Sequence, residues 1–137
     1  MHTHLRLLLY GILTWLAPFV FSLFLYGQNG TLKIDIFAFK SLMIISGAAA
    51  GALLIILYLR SLPAGTQWLA AGITIGTSWL LINWVLDLLV MVALFGMGPG
   101  EWFVQIGSRY LVIPVMALLA GASADLGSGK RSQKGWI

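Results

Sequence analysis

Four long apolar runs separated by short polar or glycine-rich breaks dominate the chain. The first reads from about residue 7 to 26 and stops at Gly27-Gln28-Asn29-Gly30. The second covers 37–59, with Arg60, Pro63 and Gly65 in its return loop, and the third covers 68–95, ahead of Gly96-Met97-Gly98-Pro99-Gly100. The third run is long: about 28 residues rising 1.5 Å each exceed a hydrocarbon layer of about 30 Å, which predicts tilt or projection into the headgroups. The fourth is less obvious, since the uncharged stretch between Arg109 and Asp125 holds only about 15 residues and a bilayer-crossing helix needs about 20. Starting it at Trp102, with Glu101 in the first turn, extends it over 102–124 and puts Arg109 two turns inside. The pattern predicts an all-α integral membrane protein, a four-transmembrane-helix bundle in one domain over 1–125, with a flexible basic cytoplasmic tail over 126–137 that cannot build a core.

Composition supports this. With 60% hydrophobic and 9% charged residues and a mean hydropathy of +0.96, the chain lies outside the range of water-soluble domains. The formal charge is +4, but the basic residues sit near predicted helix ends rather than in a stripe, a pattern that orients a membrane protein and does not grip nucleic acid. Arg6, Arg60, Lys130, Arg131 and Lys134 share one side, and Lys33, Lys40 and Arg109 lie toward the other, so both termini are expected inside, in a bacterial inner membrane. Tyr10, Tyr58 and Trp68 then fall near the inner interface, Tyr26 and Trp102 near the outer one. Lys130, Arg131 and Lys134 are also expected to be drawn to anionic lipid. The first run follows Arg6 as a signal peptide would, but it is too long and lacks a small-x-small cleavage site, so it is read as a span.

Two features bear on packing. Pro18 lies mid-run and predicts a kink, with Thr14 or Ser22 expected to help satisfy the freed carbonyl. Gly47 and Gly51 form a GxxxG pair in a stretch of small residues, where two helix backbones can approach closely.

The polar residues inside the runs are few. Asp87 and Arg109 lie nearly symmetrically about the Gly98 turn, so an antiparallel hairpin places them at the same depth, about 10 to 12 Å from its outer end. Either charge alone facing lipid costs about 2.5 to 3.5 kcal/mol, which predicts an interhelical ion pair. Gly72, Gly76, Asn83 and Asp87 share one helical stripe, and Gln105, Arg109, Ile113, Ala117 and Gly121 another. The stripes predict small residues meeting in the inner half and a polar cluster of Asn83, Asp87, Gln105 and Arg109 in the outer half. Three roles compete: a structural clasp, a functional Asp87 carboxylate tuned by Arg109, or an Arg109 that reaches lipid phosphate while Asp87 pairs with Asn83.

Catalysis is not expected, because no paired carboxylates, histidine beside a nucleophile or ligand set appears in the runs. Cysteine is absent, and His2 and His4 at the terminus make no specific metal site, so neither metal nor cofactor is expected. Asn29-Gly30-Thr31 fits a glycosylation triplet of low specificity, and the Gly-rich segments lack a phosphate loop's strand and helix context. Two functions stay open: a non-catalytic accessory or assembly subunit of a larger membrane complex, or a small transporter or channel, ion- or proton-coupled through the Asp87 cluster and acting as a homo-oligomer.

Overall fold

The computed structural model describes residues 3–133. It contains five α-helices: α1 (Thr3–Leu23), α2 (Ile36–Arg60), α3 (Trp68–Asp87), α4 (Pro99–Gln105) and α5 (Val112–Gln133). The described residues form no strand; a lone bridge joins Tyr26 to Leu32 in the α1–α2 turn. Four stretches are long and apolar enough to cross a membrane: His4–Leu23, Ile36–Arg60, Trp68–Leu94 and Gly107–Ser128.

The helix ends follow local chemistry. The α1–α2 turn closes through Gly27 N–H to the Thr31 carbonyl at 2.7 Å, with Gly30 at φ 74°, where L side chains are strained. Asp35 then caps α2, its carboxylate accepting from Phe37 N–H at 2.8 Å and Ala38 N–H at 3.2 Å. The third helix does not stop at Asp87 but widens into π-helical winding over Leu88–Leu94 and ends at Gly96, φ 70°. Such wide turns advance less along the axis, so the long third run is partly shortened by winding.

The fourth run differs from the expected continuous helix over 102–124. It is broken at Ile106 (φ −130°, ψ −58°), and Gly107–Leu111 forms a 3-10 segment before α5 begins. Pro114 suits this arrangement: it has no N–H for the Tyr110 carbonyl, and the restart of the helix at Val112 puts it in the first turn of α5, a position that proline favours. At its other end α5 runs on through Gln133, so positions 126–133 of the expected flexible tail are helical. No proline follows Pro114 to stop the helix, and Ser128 donates its hydroxyl to the Asp125 carbonyl at 2.8 Å. Lys130 and Arg131 thus lie on helical backbone, and Lys134 lies outside the described residues.

The tightest packing joins α3 to α5. A Cβ on Gly72 would stand 2.5 Å from the Ala117 carbonyl oxygen, one on Gly121 2.5 Å from the Trp68 oxygen, and one on Gly76 2.8 Å from Pro114 Cα. Those contacts are backbone to backbone, so only glycine permits them. The core of Ile55, Tyr58, Leu59, Ile75, Trp79, Ile113 and Ala117 lies toward the end that carries the N-terminus. All four buried residues of α2, Gly51, Ile55, Tyr58 and Leu59, come from its second half. Its first half has none and contributes Met43, Ile44, Gly47 and Ala48 to a cavity wall.

Candidate functional site

Two polar centres occupy the half of the bundle away from the N-terminus. The first is Asp87, 3% exposed at the end of α3. Trp15 of α1 donates its indole Nε1–H to Asp87 Oδ1 at 2.6 Å, and Trp102 of α4 donates its own to Oδ2 at 3.4 Å. The Tyr110 hydroxyl faces the same carboxylate. Hydrogen bonds to a charged acceptor are short and about twice as strong as neutral ones, so Asp87 ties α1 and α4 to the end of α3.

The expected Asp87–Arg109 ion pair is not formed among the described residues. The contacts of the acid explain why: its two oxygens accept the indole N–H groups of Trp15 and Trp102, and it is Tyr110 rather than Arg109 that faces it. Arg109 and Tyr110 are neighbours on a 3-10 segment with three residues per turn, so their side chains leave in directions about 120° apart. Gln105 is also apart, donating to the Glu101 carboxylate at 2.8 Å on an exposed face. The four-residue cluster therefore divides into Asp87, a half-buried Gln105 paired with Glu101, and a second centre that holds Asn83 and Arg109.

That second centre is a partly open cavity of about 100 Å³ between α1, α2, α3 and α5, bordered by Thr14, Pro18, Gly47, Asn83, Arg109 and Tyr110 among largely apolar walls. Asn83 is fully buried, 0% exposed. Its amide nitrogen donates to the Trp79 carbonyl at 2.8 Å and the Gly11 carbonyl at 3.2 Å. Two acceptors fix the amide orientation, since a flipped group would set oxygen against oxygen. Oδ1 is then left without a partner. Such a group costs about 1 to 3 kcal/mol. Arg109, on the 3-10 segment, makes no side-chain hydrogen bond among the described residues.

The packing residues fall into place around these centres. Gly51 is buried, with Met116 Cε 3.0 Å and Thr14 Cγ2 3.6 Å from where its Cβ would be, whereas a Cβ at Gly47 would have nothing within 4 Å. The two glycines of the GxxxG pair thus do different things: one packs inside the bundle, the other borders the cavity. Pro18 is buried, but Thr14 donates to the Tyr10 and Gly11 carbonyls and Ser22 to the Phe19 carbonyl. Neither hydroxyl turns to the Thr14 carbonyl that Pro18 leaves free, because each is drawn to the closer carbonyl one turn back in its own helix. Of the terminal histidines, His4 is exposed and His2 lies outside the described residues.

Several contributors were not marked by sequence pattern. Trp15 looks like lipid-facing apolar surface, yet it is the strongest donor to Asp87. Trp102, placed by pattern at an interface, is 4% exposed and rests on Gly107, where a Cβ would lie 2.8 Å from its ring. Trp84 donates its indole N–H to the Gly107 carbonyl at 2.9 Å, which holds the break in place. Asp125 accepts from Trp68 N–H at 3.2 Å and Leu69 N–H at 3.1 Å, capping α3 from α5. The available signal was that Gln67, ahead of α3, is not one of the residue types that favour an N-cap, and in the structure it makes no side-chain cap. No protein-family model, curated protein or solved structure matches the chain.

Proposed function

We propose that this chain is a non-catalytic integral membrane protein that serves as an accessory or assembly subunit, its long helices crossing a bacterial inner membrane with both termini in the cytoplasm. The observation that carries this reading is the state of Asp87, the one carboxylate deep within the apolar helices. Both of its oxygens accept from indole donors on two other elements, at 2.6 and 3.4 Å. A carboxylate occupied in this way holds helices together and is not presented to a passing solute. The first half of α2 supports the same reading, since it carries no buried residue while Phe37 is 75% and Ile45 62% exposed. Lipid covers such a face, and so does a neighbouring helix. The orientation rests on Arg6 and Arg60 lying at the same end of the bundle, where the positive-inside bias puts the cytoplasm.

Native mass spectrometry of the protein released gently from its own membrane tests the proposal. A reproducible foreign subunit is the expected result, and a lone chain or pure homo-oligomer refutes it. The cavity among the long helices favours a second reading, a small transporter or channel acting as an oligomer. Under that reading Asp87→Asn changes solute or proton flux in proteoliposomes; under the subunit reading it changes only the stability of the fold.

A further inference from the structure

We infer that the cavity between α1, α2, α3 and α5 is a socket for one leucine- or isoleucine-sized side chain projecting from a transmembrane helix of a partner subunit. The inference rests on the subunit reading and names the docking site for it. The first observation is the direction in which Gly47 faces. Met43, Gly47 and Gly51 recur every four residues and so share one stripe of α2. That stripe points into the bundle, since Gly51 is buried and a Cβ on it would meet Met116 Cε at 3.0 Å and Thr14 Cγ2 at 3.6 Å. One turn earlier, a Cβ on Gly47 would point the same way and meet nothing within 4 Å. The space it would enter is the cavity, whose border includes Met43, Gly47 and Thr14. At this level the chain supplies no side chain of its own.

Polarity, volume and access decide what fills it. Three polar neighbours have their groups engaged elsewhere: the Thr14 hydroxyl donates within α1, the Asn83 amide nitrogen donates to the Trp79 and Gly11 carbonyls while its Oδ1 lies beneath the surface, and the Tyr110 hydroxyl faces Asp87. The space is left with largely aliphatic walls and suits an apolar occupant. A volume of about 100 Å³ is about two-thirds of the ~150 Å³ that takes benzene, which is room for about four carbon atoms. A leucine or isoleucine side chain has that size, whereas a whole helix about 10 Å across does not enter and an acyl chain is several times longer. The mouth opens to the outside of the bundle between Ile44 of α2 and Val112 of α5, which line the cavity and are exposed. Met43 to Gly47 lie about 10 to 17 Å along α2 from Ile36, a depth that a transmembrane helix reaches and a loop does not. Gly47 and Ala48 are small, so the backbone of a neighbouring helix can come close enough to insert a side chain. A second copy related by a two-fold axis through the opening sets hole against hole, so the partner is a different chain. The cost of an apolar void grows with its volume, and a side chain that fills it favours association.

The chain has no cysteine, so Ile44→Cys can carry a photoactivatable maleimide at a single position of the full chain in its own membrane. Leu81→Cys is the control: α2 and α3 each pack between α1 and α5, so the exposed Leu81 of α3 looks away from the opening. The expected result is a crosslink from position 44 to an apolar segment of a foreign membrane protein, with none from position 81. Gly47→Leu, added to Ile44→Cys, brings its own side chain into the space and should lower that adduct about tenfold or more, while Gly47→Ala adds only a Cβ and should leave most of it. A foreign adduct unchanged in Gly47→Leu, or formed as readily from position 81 as from 44, shows docking elsewhere; the inference then falls and the subunit reading stands. Crosslinks from position 44 to lipid or to a second copy alone also overturn the inference, and the subunit reading is then judged by whether native mass spectrometry still finds a foreign subunit. The comparison of positions 44 and 81 needs no cavity-filling variant, so it can overturn the inference even where Gly47→Leu prevents folding.

Discussion

The indole–carboxylate contact between Trp15 and Asp87 makes the sharpest stability prediction. At 2.6 Å it is a charge-assisted bond linking α1 to the junction where α3 passes into π-helical winding. Hydrogen bonds to charged groups contribute about 1.5 to 3 kcal/mol, and Trp15 is the nearer of the two indole donors. Trp15→Phe removes one N–H while keeping most of the ring. Asp87→Leu removes the acceptor and leaves both indoles unpaired. The coupling from the double-mutant cycle should therefore be about 1.5 to 3 kcal/mol, well above the 0.3 to 0.5 kcal/mol scatter of independent sites. Reversible unfolding in mixed micelles, titrated with dodecyl sulfate and followed by far-ultraviolet circular dichroism, gives each stability without relying on the altered tryptophan. The same cycle repeated in an Arg109→Gln background should return the same coupling, because the contact does not pass through Arg109. A coupling within 0.5 kcal/mol of zero, or one that vanishes with Arg109→Gln, would refute the account and restore the ion pair.

Two further outcomes follow from packing. Gly72→Ala places a Cβ 2.5 Å from a backbone oxygen, about 0.9 Å short of ordinary contact, so α3 and α5 must separate; overpacking costs about 1 to 3 kcal/mol, against about 1 kcal/mol gained in helix propensity, and the same micelle titration should show a net loss where an exposed Gly→Ala shows none. Asp125→Ala removes the cap that α5 lends to α3, at a cost of about 0.5 to 2 kcal/mol; hydrogen exchange should quicken at Trp68 and Leu69, whose amides it accepts, while amides near Asp87 keep their protection.

The pattern of apolar runs was enough to mark out four long helices, because run length and the glycine, proline and polar breaks are local properties of the chain. The residues that let α3 and α5 touch were legible for a related reason: Gly72, Gly76, Ala117 and Gly121 recur at helical spacing, and small size is visible in a residue name. Partners were not legible. Asp87 and Arg109 were paired by symmetry about the Gly98 turn, but the packed helices put Trp15, Trp102 and Tyr110 against Asp87 instead. Proline did not by itself tell a break from a continuous helix, since α1 runs through Pro18 while the fourth run restarts just ahead of Pro114; the path of Gly107–Leu111 depends on Trp84 and Trp102 packing around Gly107. Tryptophan was ambiguous for a physical reason, since the same indole suits a membrane interface, an apolar core and a hydrogen bond to a buried acid. Only the tertiary arrangement gave Trp15 and Trp102 to Asp87 and left Asn83 Oδ1 without a donor. Local chemistry determines where helices begin and end, but the pairing of polar groups across a bundle depends on offsets of a few ångströms, and those are decided when the helices pack.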